Sequence, residues 1–217
     1  MKVEMWSDFL CPYCLLGKKR LTLAMERLGL DAGGIEIKSF LLNPRGRAHS
    51  GEPLMVHLLD KYGGDQAGME ETFRYLTDAG KELGFRLDFY KARNASTDDA
   101  HRLFQFAKAR GLGAAFSDRL QRAAYEEGAV LDDRETLLDL SVETGLPREE
   151  AEAALTRQAY WDGAQAEHRE AEALDVQGVP FTLINRRVAV SGAQPAATFE
   201  KALRMAMEEE KQAGEGG

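Results

Sequence analysis

The residues with the most evident chemistry are the chain's two cysteines, which stand two residues apart in Cys11-Pro12-Tyr13-Cys14. Thiols at this spacing can close a small ring and reopen it, which is what a dithiol redox couple requires. From Cys11 onward Leu15, Leu16, Leu21, Ala24, Met25 and Leu28 recur at helical spacing, so the pair sits at a helix start. Unpaired backbone N–H groups and the positive end of the helix dipole favour an anion there, which makes Cys11 the expected, thiolate-like nucleophile. Pro12 suits the first turn, where its missing N–H has no intrahelical use. Cys14, one turn inward, is placed to attack a mixed disulfide at Cys11, leaving the pair oxidised and the partner reduced; the reverse order oxidises a partner. Two blander readings stand beside this one. Zinc usually takes four ligands and a lone C-x-x-C supplies two, and buried cysteines also serve simply as small apolar residues. A strand, C-P-x-C and a helix in succession favour redox chemistry, with no metal.

The elements that must hold this pair read as follows. Residues 2 to 7 alternate as a short strand, and Gly29 marks the end of the helix behind Cys11. Gly34 to Leu42 read as a second strand with Ile35, Ile37 and Leu41 on one face, closed by Asn43-Pro44. From about Glu52 to Leu174 the periodicity is helical, broken at glycine-containing turns. Within that block Asp132 is the expected cap of a helix, paired with Glu135 and burying Leu137, Leu138 and Val142, and Pro147 opens the next. After Gly178, Phe181 to Ile184, a turn at Asn185-Arg186-Arg187, and Val188 to Val190 read as a hairpin. A last helix runs from about Pro195 through Phe199, Leu203 and Met207, and the polar, glycine-rich stretch from Gln212 to Gly217 is expected to be unordered. The fold class is therefore α/β.

Whole-chain properties narrow the function. The 217 residues, 44% hydrophobic, suffice for a substantial core, and a net charge of −8 without a basic aromatic stripe argues against nucleic acid. No apolar run approaches the roughly 18 to 20 residues of a membrane span. The N-terminal residues lack a charged region followed by an apolar signal core, and a cytoplasmic location is expected. No glycine-rich phosphate loop precedes a helix.

The second element of note is Gly178-Val179-Pro180-Phe181, where a proline opening a strand is a candidate for a cis peptide. Together with C-P-x-C after a first strand, this segment resembles the DsbA family of thioredoxin-like proteins. Within it the chain resembles the FrnE-type branch, related to hydroxychromene carboxylate isomerases and kappa-class glutathione transferases. The matching residues are Ser7-Asp8-Phe9, Cys11 to Cys14, Leu42-Asn43-Pro44, Asn94, Ala100-His101-Arg102-Leu103, Gly178 to Phe181 and Ser191-Gly192-Ala193-Gln194-Pro195. The resemblance implies a thioredoxin-like domain at residues 1–45 and 175–217 interrupted by an all-helical insertion at 46–174. It also implies a cis Pro180 beside Cys11, leaving the Val179 main chain free to bind an extended substrate while keeping metal from the thiols. Cys11 and Cys14 would be catalytic, with Pro12, Tyr13, Val179 and Pro180 in support.

Departures from the pattern qualify that expectation. Many relatives carry a buried acid six positions before the first cysteine, where this chain has Met5; Glu4 and Asp8 lie nearby but point elsewhere on a regular strand. Tyr13 replaces the histidine of the strongly oxidising periplasmic members, so a less oxidising couple is expected. Trp6 and Phe9 flank the nucleophile, either as an apolar rim or as core. His101 is either a cleft residue or packs near a helix start, with Asp98 or Asp99 as the cap. No cofactor is implied beyond glutathione as substrate or reductant. Expected partners are disulfide-containing proteins or peptides and a redox partner protein, with the chain monomeric or homodimeric. Two other functions remain: a glutathione-dependent isomerase or transferase, in whose branch a serine commonly replaces the first cysteine, and a non-catalytic peptide-binding or chaperone module.

Overall fold

The computed structural model describes residues 1–42 and 50–215; Asn43-Pro44, His49 and the terminal Gly216-Gly217 lie outside them. The central strand β1 (Val3–Ser7) pairs in parallel with β2 (Ile35–Ser39), from Val3 opposite Ile35 to Ser7 opposite Ser39. A parallel pair needs a crossover, and α1 (Pro12–Arg27), the helix behind the cysteines, supplies it. On the other side β1 runs antiparallel to β3 (Phe181–Ile184), which forms a hairpin with β4 (Val188–Ser191), for a strand order of β2-β1-β3-β4. The hairpin turns on Asn185 and Arg186, both at positive φ (49° and 57°), with Arg187 N closing on the Ile184 carbonyl at 3.0 Å before Ile184 pairs with Val188. Arginine at the second position costs about 1 kcal/mol of backbone strain relative to glycine, and its side chain offsets this by pairing with Glu4 and Glu170.

Between the two halves of the sheet lie α2 (Leu54–Tyr62), α3 (Gln66–Glu82), α4 (Asp98–Lys108), α5 (Gly113–Arg122), a π-helical turn (Ala123–Glu127), α6 (Arg134–Glu143), α7 (Arg148–Thr156) and α8 (Gln158–Ala173). The last helix, α9 (Ala196–Glu215), packs beside α1. Strand alternation divides β1 between two cores. Val3 and Met5 join Leu15, Leu16 and Leu21 of α1 and Phe199 and Leu203 of α9; Trp6 joins Phe40, Ala171, Val176 and Leu183 on the opposite face. There α8 covers the sheet, and the Trp6 indole donates to the Glu167 carbonyl at 2.9 Å.

The structure corrects several local expectations. β2 ends at Ser39: Phe40 N still donates to the Ser7 carbonyl at 3.0 Å, but the N–H groups beyond it leave the ladder, Leu41 donating to His168 Nδ1 and Leu42 to Asp8 Oδ2. The cap of α6 is Asp133, which accepts from Thr136 N at 2.8 Å; the neighbouring Asp132 carboxylate is occupied by Ser96 N and the Ser50 hydroxyl. Val142 faces outward, 48% exposed, while Leu140 and Ser141 are buried beside Leu137 and Leu138. At α4 the cap position falls to Thr97, with Asp98 and Asp99 in the first turn. α9 continues to Glu215, well into the stretch expected to be unordered. Its residues up to Ala213 are good helix formers, and anchoring by Phe199, Leu203 and Ala206 lets the helix propagate.

Candidate active site

Cys11 caps α1 with extended backbone (φ −104°, ψ 105°), and Pro12 opens the helix, as a proline without N–H allows. Both cysteines are free and buried. The Cys11 thiol donates to the Val179 carbonyl at 3.4 Å, and the Val179–Pro180 peptide is cis. Thus the Val179 carbonyl expected to be open to substrate is engaged by the Cys11 thiol. Cys14 lies directly inward and is fully buried. Burial pushes its pKa well above the usual thiol value, and the adjacent Cys11 sulfur pushes it further; the Ser7 hydroxyl and the Asp8 backbone N–H oppose the shift.

Asp8 anchors the loop between β1 and Cys11. Its carboxylate accepts from Leu10 N (2.8 Å), Leu42 N (3.0 Å) and the Thr97 hydroxyl (3.0 Å), with His101 Nε2 at 3.5 Å. Burial pushes the Asp8 pKa up, but His101 and the backbone donors more than offset this and hold it below the ordinary carboxylate value. His101 is fully buried, its ring 4.4 Å from that of Phe9. It stands behind Asp8 and away from the cleft. Phe9 and Trp6 are likewise buried in the core and form no rim. Glu4 faces the other side of the sheet, toward Lys38 and Arg186.

Beside Cys11 opens a cleft of about 430 Å³, within the range typical of small-ligand sites. Asp8, Cys11, Pro12, Tyr13, Asn94, Thr97 and Val179 form its thiol side; Leu54, Leu58, Met69, Phe73 and Leu76 of α2 and α3 form an apolar wall opposite. His57 and Lys61 of α2 also line it. The apolar wall escaped the sequence reading because its residues look like any buried helix face. Among the described residues no three His, Cys, Asp or Glu side chains are grouped to hold a metal.

Gly17 was also missed, although a glycine in mid-helix costs about 1 kcal/mol and calls for a reason. A β-carbon there would stand 2.9 Å from Pro180 Cγ and 3.4 Å from Ala193 Cα, so glycine is what lets α1 approach the loop before β3. Gly17→Val is expected to force Pro180 and Val179 away from Cys11, lowering stability by about 1–3 kcal/mol and cutting thiol reactivity toward disulfides about ten-fold or more. Thermal unfolding and exchange with oxidised glutathione test this, and wild-type values in both would refute the close-packing argument.

The β-α-β unit, the hairpin after a cis proline and a C-P-x-C pair at a helix start define a thioredoxin-like protein with a helical insertion. A DSBA-like thioredoxin domain model matches residues 2–204, and the chain belongs to that family. A probable DsbA oxidoreductase from Streptomyces coelicolor superimposes with a TM-score of 0.90 at 35% identity, covering 96% of this chain and 91% of that one. The uncharacterized protein YwbO of Bacillus subtilis is 27% identical over 93% of this chain and 94% of its own. A 2-hydroxychromene-2-carboxylate isomerase shares the fold, with a TM-score of 0.70 at 19% identity over 98% and 99% of the two chains. Among the described residues no helix is long and apolar enough to cross a membrane.

Proposed function

We propose that this protein is a thiol-disulfide oxidoreductase in which Cys11 attacks and Cys14 resolves. The observation that carries this reading is the pairing of a Cys11 thiol on the Val179 carbonyl, at the mouth of a cleft, with a buried Cys14 one turn behind it. Family membership and similarity to a probable DsbA oxidoreductase point the same way. The Cys11 thiolate attacks one sulfur of a substrate disulfide; a Cys11–substrate disulfide forms and the second substrate sulfur leaves as a thiolate that takes up a proton. Deprotonated Cys14 then attacks Cys11 Sγ, closing the Cys11–Cys14 disulfide and releasing the other substrate thiol. Two electrons and two protons pass to the substrate, and two glutathione thiols or a dithiol partner return the pair to its reduced form. The cleft's size and apolar wall suit a short peptide segment or a small-thiol disulfide such as oxidised glutathione.

The test is the equilibrium of the Cys11–Cys14 pair across a series of reduced-to-oxidised glutathione ratios, read by alkylation of free thiols. A reversible two-electron transition is expected, and its midpoint gives the favoured direction. If both thiols stay free throughout, the redox reading fails and glutathione-dependent isomerisation takes its place.

A further inference from the structure

The loop that presents Cys11 is held from the helical insertion by two side chains four residues apart. Gln121, near the end of α5, donates from Nε2 to the Asp8 carbonyl at 3.3 Å, and the Tyr125 hydroxyl donates to the Leu10 carbonyl at 2.6 Å. Both residues are buried. Leu10 immediately precedes the nucleophile, and Asp8 O also accepts from Cys11 N at 3.2 Å. The two donors therefore fix the Asp8–Phe9 and Leu10–Cys11 peptide groups, and through them the approach of the chain to Cys11. Tyr125 lies in a π-helical turn rather than in regular helix. The widened turn sends Ala129 N to Ala123 O (3.0 Å), which leaves the Tyr125 carbonyl to accept from Asp88 N at 2.7 Å. Its ring packs against Phe89 with centroids 5.3 Å apart and the planes tilted by 49°, so main chain and ring are both held before the hydroxyl reaches Leu10. Tyr125 also lines the cleft beside Cys11. Burial, with the nearby Cys11, Asp8 and Cys14 charges, pushes its pKa well above that of a free phenol, so the group remains a donor.

We infer that Tyr125, assisted by Gln121, is a positioning residue for the nucleophile, and that the π turn exists to aim its hydroxyl at the Leu10 carbonyl. The inference rests on the oxidoreductase reading for its rate effects, while its geometric content can be measured without turnover. Tyr125→Phe keeps the ring and deletes the donor; Gln121→Leu deletes the other donor independently; Leu120→Ala opens a cavity on the same α5 and leaves both donors in place.

Exchange with oxidised glutathione and alkylation of Cys11 by iodoacetamide at neutral pH are measured alongside thermal unfolding. Tyr125→Phe and Gln121→Leu are each expected to lower kcat for exchange about ten-fold or more with KM within about two-fold, and to change the Cys11 alkylation rate. Leu120→Ala is expected to lower the unfolding temperature while leaving both rates as in wild type. If Tyr125→Phe lowers only the unfolding temperature, as Leu120→Ala does, the residue merely packs and the inference is overturned. If wild type shows no Cys11-dependent exchange, the oxidoreductase reading falls, and a Cys11 alkylation rate unchanged by Tyr125→Phe would then remove the positioning role as well.

Discussion

Cys11→Ser is expected to abolish disulfide exchange, by at least about a thousand-fold, the scale of loss when an enzymatic nucleophile is removed. A serine hydroxyl carries no appreciable anion at neutral pH and is a poor attacker of sulfur. Cys14 does not substitute, because it is fully buried behind the first turn of α1 and its proton is held by burial and by its neighbour. Cys14→Ser should behave differently. Attack by Cys11 on oxidised glutathione continues, one equivalent of glutathione is released, and the other stays on Cys11 as a mixed disulfide that no internal thiol resolves. Mass spectrometry of the intact protein distinguishes the two variants. An adduct in Cys11→Ser, or none in Cys14→Ser, would reverse the assigned roles.

The second large effect concerns stability and lies on the far face of the sheet. Glu4 is fully buried, and its carboxylate receives Lys38 Nζ and Lys2 Nζ, each at 2.9 Å, and the Arg186 guanidinium on both oxygens. Lys38 continues to Glu170 at 2.6 Å and sits 5.0 Å from the centre of the Trp6 ring. The network joins β1, β2, the hairpin turn and α8. Burial pushes the Glu4 pKa up, but Lys38, Lys2 and Arg186 outweigh it and bring the carboxyl from 4.5 down to about 2. At about 1.4 kcal/mol per pH unit, that gap is worth roughly 3 kcal/mol of folding stability.

Because the folded pKa lies below the unfolded one, this contribution is present in full above about pH 4.5 and disappears as the pH falls through 2. Glu4→Gln preserves shape, removes the charge and strands the cations, at an expected cost of about 3 kcal/mol at pH 7. Urea unfolding of both proteins at pH 7 and pH 3 checks the sign. The difference at pH 3 should be about half or less of that at pH 7; a difference that stays constant or grows toward acid would mean that the charge on Glu4 is not what stabilises the network.

Local chemistry written along the chain determined much of this protein. The C-P-x-C pair at a helix start, the helix behind it and the hairpin after Gly178 depend on neighbours within a few residues, so spacing alone carried them. So did the opposite facing of Glu4 and Met5, because alternation along a strand is a property of the backbone. The longer match of separated motifs carried the family as well. Where two equally good local choices adjoin, as at Asp132 and Asp133, the decision fell to a distant partner: Ser96 and Ser50 take the first and leave the second to cap α6.

Tertiary structure decided what surrounds the thiols. Trp6 and Phe9 sit close to Cys11 in sequence but are core, because helices cover both faces of the central strand, and no local pattern says which strand is central. Ser7 and the Asp8 N–H against Cys14, the Val179 carbonyl on Cys11, Gly17 under Pro180 and Tyr125 on Leu10 are contacts between residues brought together only by folding. The apolar wall from α2 and α3 belongs with them, since a helix face reads the same in sequence whether it closes a core or lines a cleft.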